Sequence, residues 1–180
     1  MSKNTVILGG SGGIGTSLCK LIDDENRNLF SLDIKNSTLP HVNNLYVDLN
    51  EPIPARDAVE GYFNDISVTE FISVAGYYLA NNFVNFTPEE FYKSLNINLI
   101  GPTLIGNSFA NKMIENNGGK IVYVTSGASH LGSRDISYSS AKHGLTGVVK
   151  AFAKNFSLNG VYTYAVAPGV IETEMSQVCL

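Results

Sequence analysis

Apolar residues follow two alternating rhythms along the chain. Continuous runs of strand length occur at Thr5-Val6-Ile7-Leu8, Leu29 to Leu32, Leu45-Tyr46-Val47, Phe71-Ile72-Ser73-Val74, Lys120 to Val124 and Val161 to Val166. Four are closed directly by glycine, an acid or a hydroxyl residue, and the other two by Ala75-Gly76 and Ala167-Pro168, the punctuation expected at strand ends. Between them the apolar spacing turns helical. Ile14, Leu18, Leu21 and Ile22 share one face of a predicted helix from Ile14 to Ile22, and Pro54 to Phe63 predicts a short second one. Thr87-Pro88-Glu89-Glu90 reads as a helix start, with Thr87 as cap, Pro88 in the first position and Glu90 completing a capping box. Gly101-Pro102 should bend or interrupt that helix, because proline clashes with the preceding turn. Helical character resumes to about Ile114 and returns from Tyr138 to Phe156, and Asn116 to Gly119 and Asn159-Gly160 supply the stops.

Strands that alternate with helices predict right-handed crossovers and a parallel sheet covered by helices on both faces. The expected fold is therefore α/β, a Rossmann-like doubly wound parallel sheet of about six strands, in one domain spanning residues 1–180. In such sheets ligands bind beyond the carboxyl ends of the strands, where the strand order reverses. The glycine-rich and polar residues of this chain do sit just after strands.

Composition narrows the function classes. The chain of 180 residues is 44% hydrophobic and 16% charged, a globular balance rather than a disordered one. Its formal net charge of −4 offers no clustered basic face for nucleic acid. Every long apolar stretch is interrupted before it reaches membrane-spanning length. Cys19 and Cys179 are too far apart in sequence to suggest a zinc site or a disulfide framework, so no metal is expected. Met1-Ser2-Lys3-Asn4 runs straight into a strand without a signal peptide, and the cytoplasm is the expected location.

After the first strand comes Gly9-Gly10-Ser11-Gly12-Gly13-Ile14-Gly15. Two registers fit: Gly10, Gly12 and Gly15 in a G-x-G-x-x-G pattern, or Gly9, Gly13 and Gly15 in G-x-x-x-G-x-G. In both, glycines let backbone N–H groups approach a pyrophosphate, and the next helix points its positive end at the phosphates. Asp33, closing the second strand, is placed to accept hydrogen bonds from ribose hydroxyls. A 2′-phosphate there would meet like charge, which favours NAD over NADP, although Lys35 lies nearby. A solvated strand-end residue is the plainer alternative for Asp33.

Tyr138 and Lys142 stand four residues apart, on one face of a predicted helix. A tyrosine of ordinary pKa, about 10, is a poor acid or base at neutral pH. A neighbouring ammonium favours the phenolate and makes the group usable for proton transfer. This pair comes after Lys120-Ile121-Val122-Tyr123-Val124-Thr125-Ser126 and precedes Ala167-Pro168-Gly169-Val170-Ile171-Glu172-Thr173. From residue 5 to about residue 173 these motifs, in this order, resemble the compact short-chain dehydrogenases/reductases.

The resemblance implies an NAD(P)-dependent oxidoreductase that moves hydride between the cofactor and a small-molecule ketone or secondary alcohol. Its catalytic residues would be Asn98 (in Asn98-Leu99-Ile100-Gly101), Ser126, Tyr138 and Lys142. The cofactor would lie on Gly9, Ser11, Gly12, Gly13, Ile14 and Gly15, with Asp33 at the ribose. Asp48 and Leu49 would stand near the adenine. Ala75 and Gly76 would let the cofactor approach, and Tyr138 and Lys142 would reach the nicotinamide ribose. Pro168, Gly169, Ile171 and Thr173 would face the nicotinamide. For Asn98 a buried helix-bending amide is the alternative. Tyr77, Tyr78, His130 and Val170 are candidates for the substrate mouth.

The chain departs from the family pattern at Leu8, at Ser73-Val74 and at Tyr164, none of which removes a catalytic atom. It also ends at Leu180, before the family's usual seventh strand, so the sixth strand is expected as an uncovered edge. A shortened or mis-spliced product, a second chain over that edge, and a minimal form with an open site all fit this reading. The resemblance further implies a homodimer through the helices at about Phe91 to Ile114 and Tyr138 to Phe156. A nucleotide-binding relative without turnover is the competing function. Sugar-nucleotide epimerases share Tyr-x-x-x-Lys but fit the glycine spacing and length less well.

Overall fold

A computed structural model describes residues 3–79 and 86–173. Six strands form one fully parallel sheet: β1 (Lys3–Leu8), β2 (Arg27–Asp33), β3 (Val42–Tyr46), β4 (Glu70–Ser73), β5 (Gly119–Val124) and β6 (Val161–Val166), in spatial order β3-β2-β1-β4-β5-β6. The order reverses between β1 and β4, so their carboxyl ends define the switch point of a doubly wound fold. Val6, Ile7 and Leu8 are all buried, because the central strand is covered on both faces.

A loop joins β2 to β3, and the other connections are helical: α1 (Gly13–Leu21), α2 (Pro52–Tyr62), α3 (Pro88–Leu95), α4 (Gly101–Glu115), the short α5 (Ala128–Leu131) and α6 (Ile136–Phe156). On one face Val6, Leu8, Phe71, Ile121 and Tyr123 of the sheet join Val59 of α2, Phe109 of α4 and Leu145 and Phe152 of α6 in the larger core. On the other, Ile7, Leu29 and Val42 pack with Cys19 and the half-buried Leu18 and Ile22. Cys19 is a free, buried thiol; Cys179 lies outside the described residues. Edge strand β6 leaves Tyr162, Tyr164 and Val166 about half exposed, at 53%, 50% and 52%.

The Thr87 cap is built as its spacing predicts. Its hydroxyl accepts from Glu90 N–H at 3.2 Å, and the Glu90 carboxylate accepts from Thr87 N–H at 2.8 Å. Gly101-Pro102 does not break the helix. Instead Asn96–Ile100 forms a π-helical turn between α3 and α4. The wider turn comes just before the proline, where a regular turn would set the ring against a carbonyl one turn back.

Candidate active site

The glycine loop takes its shape from what surrounds it. Gly9 has φ +86°, and a Cβ there would sit 2.6 Å from the Ala75 nitrogen. A Cβ on Gly13 would lie 3.0 Å from Thr173 Cγ2, and one on Gly15 would drive into the Gly9 carbonyl and the Gly10 backbone. Gly12 would meet only Gly9 O, at an ordinary 3.5 Å. All three glycines of the G-x-x-x-G-x-G register are thus crowded, whereas Gly12 of the G-x-G-x-x-G register is not. Gly10 is also constrained, by Ser31 Oγ at 2.6 Å from its would-be Cβ. Leu8 O accepts from both Val74 N–H and Ala75 N–H at 2.9 Å, which ties the loop to the end of β4.

The loop forms one wall of a cleft of about 1110 Å³. Gly9, Ser11, Gly12, Gly13, Ile14 and Gly15 line that wall, Asp33, Asp48 and Leu49 stand at the ends of the next strands, and Ala75, Gly76 and Thr173 lie across from them. The volume suits a cofactor-sized ligand. Asp33 is already oriented: its Oδ2 accepts from Ser11 N–H and its Oδ1 from Lys35 N–H, both at 3.1 Å. Ser11 Oγ donates to Lys35 O at 2.8 Å, closing the cleft's corner. Tyr77, Lys93 and Ile97 also line the cleft, with Lys93 Nζ 4.7 Å from the centre of the Tyr77 ring. Nothing in their spacing marks Lys93 and Ile97 for this role; only the helical continuation through the π turn brings them here.

Ser126, Tyr138, Lys142, Pro168, Gly169 and Ile171 lie outside that lining, beyond the ends of β5 and β6. Gly127 N–H donates to Pro168 O at 2.9 Å, so the loops after β5 and β6 are joined beside Ser126. Ser126 Oγ accepts from Ala128 N–H at 3.1 Å. Asp135 caps α6 by accepting from Tyr138 N–H at 3.0 Å, so Tyr138 sits in the first turn. Lys142, one turn later, is only 3% exposed. Its Nζ donates to Val124 O at 3.1 Å and lies 5.6 Å from the centre of the Tyr138 ring. Burial pulls the Lys142 pKa down to about 8.

Asn98 is fully buried in the π turn. Its Oδ1 accepts from Tyr77 N–H at 3.0 Å, and its Nδ2 donates to Tyr77 O at 2.7 Å and Ser94 O at 3.0 Å. The side chain is thus wholly engaged with the segment after β4 and with the preceding turn of α3. Of the residues marked for the substrate mouth, Tyr77 lines the cleft instead, while the Tyr78 ring stands edge-on to Tyr138 with centroids 5.1 Å apart. His130 and Val170 are exposed.

The sequence model of the short chain dehydrogenase family matches residues 3–179. The chain belongs to the short-chain dehydrogenase family. Its sequence is 30% identical to an acetoacetyl-CoA reductase of Synechocystis sp., in an alignment covering 97% of this chain and 74% of the relative. Among solved structures, 4-hydroxyisoleucine dehydrogenase complexed with NADH superposes with a TM-score of 0.87 at 25% identity, over 96% of this chain and 78% of the other. A gluconate 5-dehydrogenase from Burkholderia cenocepacia, in complex with NADP and tartrate, gives 0.88 at 20% identity, over 98% and 75%. The family is one of nicotinamide-dependent oxidoreductases acting on alcohol or ketone groups. Among the described residues of this member, no helix is long and apolar enough to cross a membrane and no acidic, histidine or cysteine group is arranged to hold a metal.

Proposed function

We propose that this short-chain dehydrogenase uses NAD to interconvert a ketone and a secondary alcohol, with Tyr138 as its proton donor and acceptor. The observation that carries the reading is the buried Lys142 ammonium one turn from Tyr138 in α6. A cation held in a low-dielectric pocket beside a phenol favours the phenolate and lowers the cost of giving up its proton. In the reducing direction the substrate oxygen gains that proton as its carbon is reduced. Ser126 Oγ, at the mouth of β5, orients the same oxygen by a hydrogen bond. Asn98 keeps the post-β4 segment in place beside the pair.

The bound nicotinamide supplies the hydride chemistry. The cleft suits it in three respects: a glycine loop in which a Cβ would collide at Gly9 or Gly15 and crowd Thr173 at Gly13, a helix N-terminus opening on the loop, and an acid at the end of β2. Asp33 supports the preference for NAD, since its carboxylate repels a 2′-phosphate and can accept from ribose hydroxyls. Related structures hold NADH in one case and NADP in another, so the preference rests on Asp33 alone. Relatives named for acyl-thioester and sugar-acid substrates suggest a screening panel of β-ketoacyl thioesters, keto acids and simple ketones.

The test is Tyr138→Phe. Removing one oxygen should lower turnover on that panel by roughly 10²–10⁴-fold, the range for a lost general acid. NADH should still bind saturably in a calorimetric titration, because the substitution leaves the glycine loop and Asp33 untouched. A variant that turns over at the parent rate refutes the assignment.

A further inference from the structure

One fully buried carboxylate lies beside the reactive pair and takes no part in the proton transfer or in holding the cofactor. Asp135 is 0% exposed. Its Oδ1 accepts from Ser137 Oγ at 2.6 Å and from Tyr138 N–H at 3.0 Å, which alone would make it an ordinary helix cap. Its Oδ2, however, accepts from Leu79 N–H at 2.8 Å, 56 residues away in sequence. That bond fastens the segment after β4 to the first turn of α6.

The segment Tyr77-Tyr78-Leu79 is gripped at both ends. At one end Asn98 holds the N–H and the carbonyl of Tyr77. At the other, Leu79 is buried and bound to Asp135. Between the grips, the Tyr78 ring meets the Tyr138 ring edge-on at an interplanar angle of 73°. We propose that Asp135 is a positioning residue for the reaction: by tying Leu79 to α6 it sets the Tyr78 ring against Tyr138 and fixes the wall on which the carbonyl substrate lands. The inference rests on the reading of Tyr138 as the proton-transfer group. A cap that served the helix alone would need one oxygen; the second is spent on the strap.

The discriminating variant is Asp135→Ser. Serine caps a helix about as well as aspartate, but it is too short to serve the cap and reach Leu79 together. In the full chain, the ring-to-ring NOE between Tyr78 and Tyr138, read with ring-labelled tyrosine, should disappear, and the Leu79 amide should exchange with solvent at least tenfold faster. On any panel ketone that the parent chain reduces, kcat should fall at least tenfold, while NADH affinity stays within twofold. In a Tyr78→Ala background the same change should lower kcat less than twofold, since the wall it sets is already gone. If Asp135→Ser folds poorly, Asp135→Thr, also a helix cap and equally short of Leu79, serves the same comparisons. A retained NOE with a parent-like kcat overturns the proposal, as do equal losses in the two backgrounds. If the parent chain reduces nothing on the panel, the catalytic reading fails by itself; a retained NOE and a protected Leu79 amide in the variant then overturn the strap separately.

Discussion

Lys142 should cost the fold stability that the pH can return. The folded chain holds this lysine at a pKa of about 8, against an ordinary 10.5 when unfolded. Below about pH 8 both states carry the proton, and the folded state bears the full burden of a buried ammonium, about 3 kcal/mol for that gap. Between about pH 8 and 10.5 the unfolded chain binds more protons than the folded one, so stability rises with pH. From about pH 7 to about pH 9.5 the gain works out to about 2 kcal/mol. Lys142→Met keeps much of the length of the side chain and cannot titrate. It also gives up the bond to Val124 O at 3.1 Å, a loss that does not depend on pH. Urea unfolding of cofactor-free parent and variant at the two pH values isolates the lysine's contribution, because every other titrating group is common to both. The stability of the variant relative to the parent should fall by about 2 kcal/mol on going to the higher pH, at unchanged m-value. Parallel pH profiles would show that Lys142 is not charged against a burial penalty, and the electrostatic case for Tyr138 would fall with it.

Three further outcomes are expected from the geometry. Gly9→Ala must place a side chain at φ +86° and against the Ala75 nitrogen, and should cost about 2 kcal/mol or more in urea unfolding and abolish NADH binding by calorimetry. Asn98→Ala strands both backbone groups of Tyr77 and should cost roughly 2–3 kcal/mol, read by the same denaturation. Asp33→Ala should narrow the ratio of NADH to NADPH affinity, and an unchanged ratio in paired titrations would remove Asp33 as the selector.

The alternation of apolar runs made the sheet legible, because strands buried on both faces write their positions as unbroken hydrophobic stretches. β6 also lies where the pattern predicts, over Val161–Val166, although it is a largely exposed edge strand. β3 shows the limit: the expectation began at Leu45, but the strand starts at Val42 and runs through the exposed Asn43 and Asn44. At an edge, backbone pairing with β2 suffices and side chains need not be apolar. The π turn was hidden for a different reason. Gly101-Pro102 announces a disturbance, but whether the helix breaks or widens depends on tertiary contacts, here the grip of Asn98 on Tyr77. The glycine loop and the Tyr138–Lys142 pair were visible because their chemistry is local in sequence. Asp135 was not, since its partner Leu79 carries no signal beyond a backbone N–H.

The switch point has a consequence for how the molecule is made. Its two walls come from β1 and β4, paired from Thr5↔Glu70 to Leu8↔Ser73. The strand that pairs beside the glycine loop is synthesised some 65 residues after it. Until then, of its two neighbours in the sheet, β1 has only β2, and Val6, Ile7 and Leu8 lack part of the surface that buries them. The nucleotide cleft is thus a late product of synthesis, and its first half must be kept from the wrong partners while the second is still being translated.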